Sequence, residues 1–463
     1  MILNTQRRGA TFVVSRQDIN GNSAAQSDHP SHVHRCASAF DCEESDSLLF
    51  EYLLSSTARE MVKLSILWGV DDNVEGINCY TSGGFHPTHL GDVLSSAKQE
   101  YKVLHKLGRG AFSTVWLAQS RTEQFVALKI CSAESDSTHE IGIFERLACN
   151  SPVPENVVKL LDHFTLRGPN GTHTVLVHDV LGNFSDVVDS AIRPGRKHVR
   201  KLCRDITMGL AALHERGIVH GDLHAGNIGI ALPTLNNHSY RRVLEYFHQP
   251  EATLVLPTTV PENPGALPRY LVSPISVIDY LAAKEKDPPL FDRPLQARIM
   301  DLGNAIIADE QTLPACTPAA VCAPEIMFGR VVHPEESGSP STRASDVWSL
   351  ACTIYEIVCG ASLFHFASPN NNLLGNMATI CGEVPDEWRS YWESQERLRD
   401  IDISPEVAEA EWKSRLNLMV GPGSMPTEDD MKELFAMLRS MLAIDPARRP
   451  SAAEVAKHPW FER

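Results

Sequence analysis

The sequence predicts an α+β fold of two unequal lobes. A small β-rich lobe with one helix covers residues 76–180, and a larger, mainly helical lobe covers residues 181–463. Apolar residues recur at every second position through residues 101–130, the period of a half-buried strand. From about residue 183 the recurrence changes to three and four, the period of an amphipathic helix. At 463 residues the chain is long enough for two or three cores.

Residues 1–75 form an N-terminal extension that reads as largely disordered, with Gly, Ser, Asn, His and Asp dominating residues 18–47. His29, His32, His34, Cys36 and Cys42 match no zinc-ligand spacing. Arg7, Arg8 and Arg16 precede the first acid, Asp18, as in a mitochondrial presequence, but no amphipathic helix follows them. Residues 48–67 have the length of one helix.

In the small lobe, Tyr101, Val103, His105 and Leu107 share one strand face, and Val115, Leu117, Val126 and Leu128 continue the pattern. A helix is expected around residues 138–148, with strands at 157–164 and 173–180. In the large lobe, Val199, Leu202, Ile206, Leu210 and Leu213 make one helical stripe, preceded by Pro194-Gly195 and closed by Gly217. Later helices are expected at 342–359, 428–442 and 451–457, the last opened by Ser451 and Glu454 at capping-box spacing. Residues 231–296, punctuated by proline from Pro233 to Pro294, read as an insertion running over the surface.

Composition excludes some functions. A net charge of −16 argues against binding the phosphate backbone of nucleic acid and suits basic peptide substrates. No apolar run approaches the roughly 18 residues of a membrane span; the richest stretch, residues 347–358, is broken by Glu356. Eleven cysteines without CxxC spacing fit reduced thiols better than a disulfide framework.

The chemistry lies in short motifs. Gly108-Arg109-Gly110-Ala111-Phe112-Ser113-Thr114-Val115 joins two predicted strands. Its glycines let backbone amides approach phosphate oxygens, although a Gly-x-Gly turn alone also describes an ordinary hairpin. Leu107 to Ser113, Val115 and Ala127 are therefore candidates to cover a nucleotide. Lys129 ends Val126-Ala127-Leu128-Lys129 on the next strand, a solvent charge on its own but a phosphate ligand at this distance from the turn. Glu140 on the following helix is the candidate carboxylate to hold it, with Glu134 and Glu145 as alternatives. In His220-Gly221-Asp222-Leu223-His224-Ala225-Gly226-Asn227, a carboxylate and an amide lie five residues apart after a helix. Asp301-Leu302-Gly303-Asn304-Ala305 supplies a second carboxylate after a β-type run. Phosphoryl transfer needs a carboxylate to orient the hydroxyl, here Asp222, and metal ligands on the phosphates, here Asn227 and Asp301. Glu325 in Ala323-Pro324-Glu325 is expected to pair with Arg449, and Asp346 to cap the backbone of the Asp222 loop.

With these motifs in order from Gly108 to Trp460, the chain resembles the eukaryotic protein kinases, and among them the serine/arginine-rich (SR) protein kinases, particularly fungal ones. Tyr80-Thr81-Ser82-Gly83-Gly84-Phe85-His86-Pro87, Lys106-Leu107-Gly108, Val180-Leu181-Gly182 and His458-Pro459-Trp460-Phe461 carry the closer likeness, which covers residues 76–463. The resemblance implies a bilobal protein-kinase fold and a non-specific serine/threonine kinase using ATP and Mg²⁺, with Asp222, Lys129 and His224 as catalytic residues. It makes Asp179 to Leu181 the hinge that holds adenine and His178 the residue behind it. It implies a basic or Arg/Ser-rich protein substrate, no nucleic acid or membrane partner, a monomer, and cytoplasmic or nuclear residence. A weakly active kinase-fold scaffold and a small-molecule phosphotransferase stay open as alternatives; His-Gly-Asp-Leu-His also resembles the loop of aminoglycoside-type kinases.

Two letters and one segment depart from the pattern. Gly221 replaces the Arg that receives an activation-loop phosphate, so switching by such a phosphate is not expected. His224 replaces a Lys on the transferring phosphate, so turnover is expected to be reduced near neutral pH and to vary between about pH 6 and 8.5 as the ring titrates. Thr317-Pro318-Ala319-Ala320-Val321-Cys322 lacks the basic residues of the SR-kinase substrate segment, which loosens strict Arg-Ser selectivity.

Overall fold

The structure, a computed structural model, describes residues 74–149, 152–189, 196–248, 250–257, 263–308, 315–332, 339–364, 370–420 and 427–462. The extension up to residue 73, with its His/Cys group and the helix expected at 48–67, and the Pro194-Gly195 pair lie outside the described residues.

The small lobe is a six-stranded antiparallel sheet of β1 (Val93–Ser95), β2 (Glu100–Arg109), β3 (Ser113–Ser120), β4 (Phe125–Cys131), β5 (Leu160–Gly168) and β6 (Gly171–His178), in the order β1-β2-β3-β4-β6-β5. Helix α1 (Thr138–Ala148) follows β4, over the residues expected. Strand alternation sends Leu117 toward α1 and the main core, and Trp116 and Ala118 to a second cluster with Leu128 and Val177 on the other face. β5 and β6 meet at Gly168-Pro169-Asn170-Gly171, so both are displaced from the expected 157–164 and 173–180. β5 is the sheet edge, and its polar outer half gives no apolar alternation to read.

One strand departs from strict period two. Register shifts in β2 between Val103 and His105, and between Lys106 and Gly108, turn Lys106 inward, where it is fully buried. Its ammonium meets the Glu75 carboxylate, which also accepts from the Tyr80 hydroxyl at 2.5 Å. Val74, Tyr80 and Phe85 then pack on the lobe beside Leu271.

The large lobe begins with β7 (Leu181–Asn183) and the short α2 (Phe184–Asp189), then α3 (Arg196–Glu215), whose stripe Leu202, Ile206, Leu210 and Leu213 is buried. Gly217 ends it at φ 74°, a left-handed conformation that glycine accepts without strain. Two small sheets follow: β8 (Ile218–Val219) pairs with β13 (Ile306–Ile307), and β9 (Ile228–Ala231) lies between β7 and β12 (Ala297–Ile299). They hold the two ends of the Asp222 loop and the approach to Asp301. The C-terminal helices include α6 (Pro324–Val332), α7 (Arg343–Cys359), α8 (Asn370–Cys381), α9 (Arg389–Ser394), α10 (Glu396–Arg399), α11 (Pro405–Met419), α12 (Glu428–Met441) and α13 (Ala452–Val455), the last with the Ser451/Glu454 capping box. No described helix is long and apolar enough to cross a membrane.

The Pro-rich segment does not run only over the surface. It carries α4 (Tyr240–Phe247), the β10–β11 hairpin (Ala252–Leu254, Tyr270–Val272) and α5 (Val277–Lys284), and buries Val243, Ile278, Tyr280 and Leu281 in the main core. It also reaches the small lobe: Asn236 Oδ1 accepts from Phe125 N at 2.8 Å, and Ile275 N donates to Lys106 O at 3.0 Å. Prolines set its turns, and the apolar residues between them do the packing.

Candidate active site

Lys129 on β4 lies opposite Val115 and Leu176 on its neighbouring strands, which fixes its backbone in the middle of the sheet. Its Nζ donates to Glu140 Oε1 and Oε2 at 2.9 and 3.1 Å and to Asp301 Oδ1 at 2.8 Å. Glu140 is buried in the first turn of α1, while Glu145 is exposed and Glu134 lies against Gly83. Burial opposes the charge on Lys129, but Glu140 and then Asp301 outweigh it and raise its pKa, so it stays an ammonium. The same Lys129 charge overcomes the burial of Asp301 and lowers that carboxyl. Asp301 is left-handed at φ 57°, a strained conformation for a non-glycine residue, and the Lys129 contact helps hold it there.

Asp222 sits on a loop held by α7. The Asp346 carboxylate accepts from His220 N at 2.7 Å, Gly221 N at 2.9 Å and His214 Nε2 at 2.9 Å. The N-cap of α7 itself is Thr342, in a reciprocal pair with Ser345, which frees Asp346 for the loop. Asp222 Oδ1 is buried and has no hydrogen-bond partner among the described residues. Burial raises the Asp222 pKa above the ordinary 3.8, against the pull of His224 and His220. Asn227 Nδ2 donates to Asp222 O at 2.9 Å, which leaves its amide oxygen for another partner. One carboxylate and one amide oxygen are hard donors that suit Mg²⁺ with waters and phosphate completing its shell.

The nucleotide end is open. Gly108 has nothing within 4 Å of where a Cβ would stand, so phosphate can come close to the β2–β3 turn there, and Gly110 N donates to Ser113 O at 2.8 Å to close that turn. Phe112 is exposed at its tip. Leu107 and Arg109 lie on β2 and Val115 on β3, to either side of that turn, and Ala127 lies on β4 opposite Leu117. Asp179 to Leu181 links β6 to β7 between the lobes, and the Asp179 side chain is taken up by Arg298 at 2.6 Å, leaving backbone groups for a ligand. His178 Nδ1 donates to Lys159 O at 3.0 Å, and burial pushes the ring down to about 4, so it is neutral at pH 7.

His224 is turned away from the role of a lysine. Its Nδ1 accepts from Gly226 N at 3.1 Å, so the neutral ring carries its proton on Nε2, which lies 3.9 Å from Asp222 Oδ1. A Cβ at Gly226 would stand 2.7 Å from the His224 ring, so glycine there and His224 fit together. Burial holds its pKa below 6.5. The lowered pKa moves the titration of the ring below its ordinary range, so His224 carries less positive charge near neutral pH than a free imidazole and far less than a lysine. Replacing His224 with Lys is expected to raise kcat about tenfold at pH 7.5, by adding a fixed positive charge near the transferred group. A steady-state assay with no gain would contradict it.

The segment after Asp301 is tied to the lobe. Arg449 Nη1 and Nη2 donate to Glu325 Oε1 and Oε2 at 2.8 and 2.7 Å, and the guanidinium lies over Trp348 at 5.1 Å. Thr317 Oγ1 donates to Gly221 O at 2.7 Å, and Arg330 holds the Thr317 and Ala315 carbonyls at 3.0 and 2.6 Å. Gly221 has φ 76°, and a Cβ there would meet Asn304 O at 2.7 Å. The position that usually carries Arg is thus filled by backbone. Sequence reasoning assigned no role to Asn304, whose Nδ2 donates to Asp222 Oδ2 at 3.0 Å, or to His139, whose Nε2 donates to Ala305 O at 2.5 Å. The one available signal was their position beside recognised motif residues.

A protein kinase domain family model matches residues 101–234 and 289–461, about two thirds of the chain, and its gap falls within the Pro-rich segment. The serine/threonine-protein kinase spk-1 of Caenorhabditis elegans is 36% identical over 178 residues, 35% of this chain and 17% of that protein. The serine/threonine-protein kinase SRPK of Physarum polycephalum is 26% identical over 422 residues, covering 84% of this chain and 92% of that one. Human SRSF protein kinase 3 is 31% identical over 192 residues, 38% of this chain and 33% of that protein. The match thus spans under a fifth of the nematode protein and most of the slime-mould one.

Proposed function

This chain belongs to the protein kinase family, and from that premise we propose that it is a serine/threonine kinase of the SR-protein-kinase type, using ATP and Mg²⁺. The observation that carries the reading is the meeting of Lys129, Glu140 and Asp301 within 2.8–3.1 Å, beside Asp222 with an unpartnered oxygen. Bound Mg·ATP supplies the γ-phosphoryl group and the charge that screens it. Lys129 steadies the α- and β-phosphates and Glu140 keeps its stem in place. Asp301 and the Asn227 amide oxygen would hold the Mg²⁺. The Asp222 carboxylate would accept the hydroxyl proton of the substrate as the new O–P bond forms and the γ-phosphorus parts from the β–γ bridging oxygen, which leaves with ADP.

Protein substrates are favoured over small molecules by the Glu325–Arg449 tie and the Thr317–Gly221 contact, which give the segment beside the cleft a fixed shape for a peptide to lie against. The relatives' names and the −16 charge support basic, Arg/Ser-rich sequences. Because residues 317–322 offer no basic side chain, selectivity for Arg-Ser repeats is expected to be looser than strict. A peptide array with labelled ATP tests this: basic serine peptides are expected to label most strongly. Labelling of an aminoglycoside with none of any peptide would replace the reading by a small-molecule phosphotransferase.

A further inference from the structure

The two oxygens of the Asp222 carboxylate have different surroundings. Oδ2 accepts from Asn304 Nδ2 at 3.0 Å and from Asn227 Nδ2 at a longer 3.4 Å. Oδ1 has no hydrogen-bond partner, and His224 Nε2 stands off at 3.9 Å. Asn304 is the better placed of the two donors, because the main bond of Asn227 goes to the Asp222 carbonyl at 2.9 Å.

Asn304 is itself held on both sides. Before it, Asp301 takes the left-handed turn and is fastened by Lys129. After it, Ala305 N donates to Leu302 O at 3.1 Å, Ala305 O accepts from His139, and Ile306 enters the pairing with Val219. Its own carbonyl packs where a Gly221 Cβ would stand, 2.7 Å away. The missing side chain at Gly221 and the reach of Asn304 to Asp222 are therefore one arrangement: without a Cβ at position 221, the Asn304 backbone comes close enough for its amide to grip the carboxylate.

We propose that Asn304 is a positioning residue for Asp222, fixing the orientation of its carboxylate through Oδ2, and that Gly221 makes this approach possible. The inference rests on the assignment of Asp222 as the base. A carboxylate released from Asn304 can rotate about its side-chain bonds and spends less time in the productive orientation. A hydrogen bond to a charged group is at stake, so kcat is expected to fall about 10- to 100-fold in Asn304→Ala, with KM for ATP within about twofold of wild type.

The test is a double-mutant cycle of Asn304→Ala and Asp222→Asn, each variant checked for folding by its Mg·ATP thermal shift. If Asn304 acts through Asp222, adding Asn304→Ala to Asp222→Asn changes the residual rate by less than about twofold. Equal fold losses from Asn304→Ala in both backgrounds would overturn the proposal, as would wild-type kcat in Asn304→Ala. Should Asn304→Ala fail to fold, the near-isosteric Asn304→Asp, which removes the donor, takes its place in the cycle with the same two outcomes. Wild-type turnover in Asp222→Asn would instead overturn the assignment of the base, a separate failure.

Discussion

Asp301→Asn is expected to lower phosphoryl transfer by more than about 10³-fold while leaving the protein folded, because metal charge on the phosphates is worth several kcal/mol in the transition state. The side chain is half-exposed to the cleft and keeps its volume in the variant. The substitution removes one of the two carboxylates on Lys129, but Glu140 still holds the ammonium through both oxygens. If Asp301 is a metal ligand, raising Mg²⁺ is expected to restore part of the rate, because Asn227 remains. A fall of less than about tenfold at 1–10 mM Mg²⁺ would remove Asp301 from the metal site.

The second large effect is on stability. Glu75→Gln strands the fully buried Lys106 without its counter-charge, and breaking such a pair costs about 3–5 kcal/mol. The measurement is urea unfolding of wild type and variant. Burial already lowers the Lys106 pKa from 10.5, so the unfolded chain binds the proton more tightly. Stability of the variant is therefore expected to rise with pH between that lowered value and 10.5, the window in which only the unfolded state is protonated. Glu75→Leu combined with Lys106→Met is expected to recover part of the loss, because an apolar pair of similar volume needs no desolvation of charge, while the buried Tyr80 hydroxyl loses its acceptor. A double variant as weak as the single one would show that the pair contributes through more than its charges.

Much of the site was legible because its chemistry is written in residue type and spacing. Lys129, Glu140, Asp222, Asn227 and Asp301 stand on the elements expected of them, and Glu325, Arg449 and Asp346 meet the partners named for them. What was not legible depends on contacts far along the chain. Lys106 falls between His105 and Leu107, off the apolar face read for this strand, and two register shifts turn it in, with a partner 31 residues away. The Pro-rich segment reads as loop because prolines mask the apolar residues that pack it on both lobes. Gly221 reads as a lost arginine, and only the structure shows the Asn304 carbonyl in its place. His224 reads as a weakened lysine, whereas its ring accepts from Gly226 N and burial lowers its pKa.

The account is tested most directly by single-turnover transfer of the γ-phosphate from labelled Mg·ATP to a basic serine peptide, with wild type and Asp222→Asn side by side. It predicts phosphoserine from the wild type and a rate about 10²- to 10⁴-fold lower from the variant, the range of general-base catalysis. Equal rates from the two proteins, or no phosphoserine from a wild type that binds Mg·ATP, would contradict it.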